Sequence, residues 1–322
     1  MRQFVHALIG VLALAGATLM DGRSIVGAAD DPPTGQTAAE ASCTYALTAP
    51  LSQVANPAIR EASALAASRQ WPGTYWTLND SKNSPTVFAI DEQGQAHGAF
   101  QVPNATNVDW EAMQIGPDTG GGTALYIGDI GDNNHLRRDA VIYRVPEPQP
   151  AAPGVVATFP TEPATVFRLR FPYGADNIEA MLVHPMSGEI LLFSREVTGY
   201  GLVYSLPTLT VSSQPLVPDF VGALHVRQYE AHGGPLDGQI TDGSISSDGS
   251  HVVLRTYASA LVYDLAEGEP LASIVEKEPR VYPLGDGPKG EGISFRPDSN
   301  DLLTIGEAKR FAATLFETVW HC

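Results

Sequence analysis

Glu111-Ala-Met-Gln-Ile115 places an acidic residue ahead of a small residue and an apolar run. The arrangement returns as Glu61-Ala-Ser-Ala-Leu65, Glu179-Ala-Met-Leu-Val183, Asp242-Gly-Ser-Ile-Ser246 and Glu291-Gly-Ile-Ser-Phe295, at successive intervals of 50, 68, 63 and 49 residues. Repeats of this length filled with short β-type runs are the signature of propeller blades, in which each unit buries its apolar faces only against its neighbours.

Working outward from each acid, the same order of runs reappears. After Glu111 come Ala124-Leu-Tyr-Ile127, Ala140 to Val145 and Thr165 to Phe171; after Glu61 come Thr74 to Leu78, Thr86 to Asp91 and Gly98 to Pro103. Asp91-Glu-Gln-Gly94, Pro185-Met-Ser-Gly188, Ser247-Asp-Gly249 and Pro297-Asp-Ser-Asn300 are turn sequences between such runs. Helical periodicity is nearly absent, and 31 Gly and 25 Pro suit a chain of many short strands. The expectation is an all-β propeller of five four-stranded blades spanning residues 43–322. A sixth blade could be hidden in 149–170 and 207–238.

The fifth unit supplies three runs, so its fourth strand must come from elsewhere. Thr44-Tyr-Ala-Leu47, directly after Cys43, is the expected donor. The two cysteines, Cys43 and Cys322, stand at the opposite ends of this ring, and an even cysteine count in an exported chain suggests a bridge closing it.

Export is read from the start of the chain. Met1-Arg2 precedes an apolar stretch from Phe4 to Met20, and Val26-Gly-Ala-Ala29 offers small residues for cleavage. Residues 1–29 are therefore expected to be a signal peptide, 30–42 a disordered leader, and the mature protein secreted or periplasmic, with no membrane attachment after cleavage. The net charge of −17 becomes −18 once Arg2, Arg23 and Asp21 are lost. Such acidity disfavours nucleic acid and anionic lipid, and keeps copies apart by self-repulsion, so a monomer is expected.

In a propeller the first strand of each blade lines the central channel. Glu61, Glu111, Glu179, Asp242 and Glu291 are thus expected to form a ring at one end of it. Crowded carboxylates need a cation, arginines, backbone donors or raised pKa values to offset their repulsion. A second set follows the second runs: Asn79-Asp80-Ser81, Asp129 to Asn134, Ser194-Arg195-Glu196, Arg255-Thr256-Tyr257 and Gly306-Glu307. From it, Asp80, Asp129, Asp132 and Asn133 are candidate oxygen ligands for calcium, and Arg195 and Arg255 candidate anion binders. An Asx-rich turn around Asp129 and pairing of the arginines with acids are the competing readings. Nucleophile-elbow, zinc-protease and phosphate-loop motifs are absent, and His135 is the one histidine near the candidate ligands.

Trp76-Thr-Leu-Asn-Asp-Ser81, Asn107-Val-Asp-Trp-Glu111, Tyr126-Ile-Gly-Asp-Ile-Gly-Asp-Asn133 and Ile142-Tyr-Arg-Val-Pro-Glu-Pro148 together resemble bacterial exported β-propellers of a WD-repeat-like kind. More distantly they are similar to phytase-like esterase propellers. The resemblance implies a propeller outside the cytoplasm and leaves its activity open. Four lysines (Lys82, Lys277, Lys289 and Lys309) argue against the cationic pocket of a propeller phytase. The leading expectation is a module that binds a ligand or protein partner, with calcium at the channel mouth. The rivals are a metal-assisted hydrolase of an ester or phosphoester, with Asp80, Asp129, Asp132 and Glu111 about the metal, and a structural scaffold.

Overall fold

The structure is a computed structural model that describes residues 43–321 except 47, 197, 230–237, 286–289 and 308–311. The expected signal peptide and leader lie outside the described residues, as does Cys322.

Among the described residues twenty-three strands run in chain order, and β1 (Thr44–Tyr45) and β2 (Ala49–Gln53) precede the first blade. That blade holds β3 (Ala62–Ala67), β4 (Tyr75–Asn79), β5 (Thr86–Ile90) and β6 (Ala96–Gln101). The second has β7 (Trp110–Pro117), β8 (Thr123–Asp129) and β9 (Ala140–Pro146), then β10 (Val155–Pro160) intervenes before its outer strand β11 (Thr165–Leu169). The third contains β12 (Ile178–Val183), β13 (Ile190–Ser194), β14 (Tyr200–Leu206) and β15 (Asp219–His225). The fourth contains β16 (Ile240–Ile245), β17 (His251–Thr256), β18 (Ser259–Asp264) and β19 (Arg280–Pro283). The fifth has β20 (Gly290–Phe295), β21 (Leu302–Gly306) and β22 (Thr314–Thr318), with β23 (Trp320–His321) closing the chain.

Within each blade the strands are antiparallel neighbours, and β2 completes the fifth sheet in the order β2-β22-β21-β20. Five four-stranded blades are thus in place, and no sixth is found among the described residues. The ambiguous stretches resolve differently. β10 crosses back to add a fifth strand to blade one, parallel to β6, while 207–238 contributes β15 and a 3-10 turn at Val226–Tyr229.

Side chains alternate along every strand, so each blade presents one face to the blade before it and one to the blade after. Ala64, Ala66, Trp76, Leu78 and Phe100 of blade one pack with Trp110, Met113, Leu125 and Val145 of blade two. From the opposite face of blade one, Ala62, Leu65, Tyr75 and Phe88 pack with Leu303, Ile305 and Leu315 of blade five. Three further cores repeat the scheme between the remaining neighbours. Burial of both faces explains why the strands read as continuous apolar runs rather than as an alternation with polar residues.

The seam differs in one respect from the sequence reading. The strand donated to blade five is Ala49–Gln53, not Thr44–Leu47. Thr44–Tyr45 instead pairs antiparallel with Trp320–His321 in a separate two-stranded ribbon, Thr44 opposite His321. The ribbon is held by Tyr45, whose ring lies edge-on to Tyr282 and Trp320 at 4.8 and 4.6 Å. Its hydroxyl donates to the Asn300 carbonyl at 2.9 Å. Tyr45→Ala is expected to lose about 3 kcal/mol of stability, read as a lower midpoint in urea. A change under about 0.5 kcal/mol would show that the ribbon does not secure the ring.

Candidate functional site

All five innermost strands carry an irregularity at the same place. Each begins with a paired residue, skips one, and resumes pairing: Ala62 and Ala64, Trp110 and Ala112, Ile178 and Ala180, Ile240 and Asp242, Gly290 and Gly292. The skipped residues are Ser63, Glu111, Glu179, Thr241 and Glu291. A bulge frees one side chain from the ladder and re-aims it. Three members of the expected ring, Glu111, Glu179 and Glu291, therefore occupy equivalent positions.

The other two do not. Glu61 lies two residues before the bulge, in register with Asp109 and Asn177, although it still borders the channel cavity. Asp242 lies one residue after the bulge, where the other blades have Ala or Gly. Its carboxylate accepts from the backbone N–H of Leu65 at 3.3 Å and of Ile293 at 2.9 Å, tying blade four to blades one and five.

Around the bulged residues opens a cavity of about 130 Å³, lined by Glu61, Asp80, Glu111, Asn133, Arg195, Tyr257, Glu291 and Glu307 among others. The next tier is also a register position. Asp80, Arg195, Tyr257 and Glu307 each follow the residue that pairs with the start of the innermost strand. Ile130 holds the equivalent place in blade two and is buried; Asn133, farther along that loop, reaches the cavity instead.

Hydrogen bonds link these groups into one network. Ser63 Oγ donates to Glu111 Oε2 at 3.0 Å, and the Glu111 and Glu179 carboxyls hydrogen-bond to each other, which requires a shared proton. Glu179 Oε1 also accepts from Asn177 Nδ2 at 2.7 Å and from Arg195 Nη2 at 2.8 Å. Arg195 donates to the Tyr257 hydroxyl at 3.1 Å and to Asn133 Oδ1 at 2.9 Å. Tyr257 in turn hydrogen-bonds Glu291.

The electrostatics follow from burial. Desolvation, then Glu179, Asp80 and Asp109, push the Glu111 carboxyl well above the ordinary range. Desolvation raises Glu179 to about 7 despite Arg195. Desolvation and then Glu179 raise Glu291 to about 8 against the opposing pull of Arg195 and Arg255. Asp109 rises to about 6 through desolvation and the nearby Asp80.

Asp80, Asp109 and Glu111 each bring a carboxylate oxygen within 4.8 Å of the others. Gly131 makes the approach possible: a Cβ there would stand 2.6 Å from both Asp109 Oδ2 and Glu111 Oε1. Three hard oxygen donors in a backbone cradle fit calcium, which takes six to eight oxygens and tolerates irregular geometry. Asp109 was not among the expected ligands. Its signal was available in Asn107-Val-Asp-Trp-Glu111, where two acids two residues apart flank the start of an innermost strand.

The other expected ligands are used differently. Asp129 is buried, accepts from the Asp109 N–H at 2.9 Å and pairs with Arg137 Nη1 at 2.8 Å. Asp132 accepts from the backbone N–H of Leu136 at 3.0 Å and of Arg137 at 2.6 Å. Both carboxylates fold the loop that carries Asn133, so the Asx-turn reading describes them better than ligation. Arg255 is 0% exposed and points between blades four and five. A Cβ on Gly290 would fall 1.3 Å from its Nη2, so glycine alone leaves room for it. It is not presented to an anion at the mouth. Arg195 reaches the mouth but is paired with Glu179.

No protein-family model matches the chain, and no curated protein matches it. Solved structures resemble it in fold. The PQQ-bound aldose sugar dehydrogenase of Streptomyces coelicolor is 10% identical, with a TM-score of 0.47 over 87% of this chain and 99% of that one. U3-55K is 11% identical over 79% of each chain, with a TM-score of 0.39. The Cps50 (Swd1) β-propeller domain of Myceliophteria thermophila is 12% identical, with a TM-score of 0.38 over 80% of this chain and 83% of that one.

The raised carboxyls make stability depend on pH. A glutamate near 4.5 when unfolded and near 8 when folded binds its proton more tightly in the native state. Its favourable contribution is complete below about 4.5 and is lost as pH climbs through about 8. In chelator, the melting temperature is expected to fall from pH 5 to pH 9, with a shallower slope in Glu291→Gln. Equal slopes in the two proteins would mean that Glu291 ionises normally.

Proposed function

We propose that the chain is an exported propeller that binds a small ligand at its channel mouth, together with a divalent cation, calcium foremost. Asp80, Asp109 and Glu111 would hold the cation, and Tyr257, Asn133 and Glu291 would face the ligand. The observation that carries this reading is the convergence of three carboxylates from two blades at the edge of an almost wholly polar cavity. Cation binding would also relieve the crowding that raises the Glu111 pKa, since a positive charge favours the ionised carboxylates. Kinship with exported bacterial propellers, and more distantly with phytase-like ones, belongs to the same proposal.

Calorimetric titration of the chelated mature protein with calcium is expected to show one site, weakened about tenfold or more in Glu111→Gln. Absence of binding, or binding unchanged in the variant, would remove the cation from the mouth. Calcium-dependent turnover of an ester or phosphoester would replace simple binding with metal-assisted hydrolysis.

Export and ring closure form the second part of the proposal. Thr44 pairs with His321; in the sequence Cys43 directly precedes the one and Cys322 directly follows the other. A bridge there would close nearly the whole mature chain, and in the chain-entropy view such a loop gives about 5 kcal/mol. Secretion through an oxidising compartment supplies the condition for it. Non-reducing peptide mapping of the secreted protein should recover a Cys43–Cys322 cross-linked pair and an N-terminus close to Ala29. Two alkylatable thiols would disprove the bridge.

A further inference from the structure

A second group of potential ligands lies on the rim, apart from the mouth carboxylates. His135 stands in the loop between β8 and β9, Asp176 in the segment leading into β12, and Glu196 just after β13. One ring nitrogen of His135 and one oxygen from each carboxyl all lie within 4.8 Å of one another. No hydrogen bond joins these three side chains to each other among the described residues.

Their surroundings orient them. His135 Nδ1 lies 3.1 Å from the Ala175 carbonyl oxygen. A carbonyl only accepts, so Nδ1 carries the proton and the lone pair of the neutral ring is on Nε2. Fixing one imidazole nitrogen on a backbone carbonyl is the arrangement that sets the tautomer of metal-ligating histidines. The fully buried Tyr204 donates its hydroxyl to Asp176 Oδ2, and Ser194 hydrogen-bonds Glu196. Each of the three candidate donors is therefore held by an outer partner while its companions stay unbonded to one another.

We propose that His135, Asp176 and Glu196 form a rim site for a divalent transition ion, zinc foremost. One imidazole nitrogen with two carboxylate oxygens is a mixed donor set suited to zinc-class ions, unlike the all-oxygen cluster at the mouth. Three protein ligands leave a coordination position for water or for a donor from a ligand. The ion would also act on the mouth through the chain. His135 is two residues from Asn133, Asp176 adjoins Asn177, and Glu196 adjoins Arg195; these neighbours hold Arg195 and Glu179 in place. Clamping the three loops would set the position of the Arg195 guanidinium.

Zinc is titrated into the metal-free full mature chain against a chromophoric chelator, and copper-loaded protein is examined by electron paramagnetic resonance. One tight equivalent is expected, with nitrogen hyperfine structure in the copper spectrum. His135→Asn suits the left-handed backbone at φ 53° and spares the fold, because asparagine tolerates that conformation. It should abolish the nitrogen signal. Glu196→Gln should weaken zinc binding, and Tyr204→Phe should weaken it by about 10-fold or more through lost orientation of Asp176. Glu111→Gln, which disables the mouth site, should leave zinc binding unchanged. The proposal is overturned if no stoichiometric zinc binds. It is overturned equally if binding survives both His135→Asn and Glu196→Gln, or if it is lost only in Glu111→Gln.

Discussion

Every blade has two apolar faces and only its neighbours can cover them. A four-stranded sheet with Leu65 and Tyr75 on one side and Ala64, Trp76 and Leu78 on the other cannot stand in water alone. The arrangement becomes stable only when blade five meets blade one, so closure of the ring is the condition on which the rest depends. Within blade five, β2 supplies the strand that β22 would otherwise lack, and Val54 N–H donates to the Ala313 carbonyl at 2.7 Å where the chain enters the first blade. The ribbon of β1 and β23 then stands outside the blades as a clasp, with aromatic contacts in place of a wide sheet.

Closure brings five innermost strands together around one channel, and there the bulge decides the chemistry. A single skipped residue per strand turns Glu111 and Glu291 toward a common cavity and Glu179 onto Asn177 and Arg195 beside it, while the flanking Ala and Gly positions stay in the ladder. Blades one and four place Ser63 and Thr241 at the same point, and both make hydrogen bonds that support a neighbour: Ser63 to Glu111, and Thr241 to the Gly290 and Glu291 carbonyls. A full ring of five buried acids would leave more charge than one arginine offsets. Three acids, two hydroxyls, a shared proton and Arg195 are a set that can be satisfied.

The blades were legible in the sequence because burial of both faces writes itself as apolar runs separated by turns. The mouth was only partly legible. Matching an acid followed by a small residue finds Glu111-Ala, Glu179-Ala and Glu291-Gly at the right register, but it also selects Glu61-Ala and Asp242-Gly, which are displaced by two residues and one. The bulge itself has no unmistakable residue signature, so identity was mistaken for equivalence. The better guide was the partner strand, where Asn79, Asp129, Ser194, Thr256 and Gly306 end their runs at a constant place. Counting back across the ladder from these would have placed Ser63 and Thr241 in the ring. The parallel addition of β10 to blade one is set by long-range packing and has no local signal.

The Asp129 to Asn134 loop shows why density of oxygen donors is a weak guide to ligation. Asp129 and Asp132 have their oxygens turned toward backbone N–H groups and Arg137, and these bonds shape the loop. That shape is nevertheless what the mouth uses. It brings Gly131 against Asp109 and Glu111, carries Asn133 to Arg195, and sets the Asp132 N–H on Asn177 Oδ1 at 2.6 Å. Asn177 then holds Glu179. The carboxylates that looked most like ligands thus act one step away, by fixing the loop against which the converging carboxylates and the mouth network are arranged. A substitution at Asp132 should consequently disturb the mouth through Asn177 and Asn133.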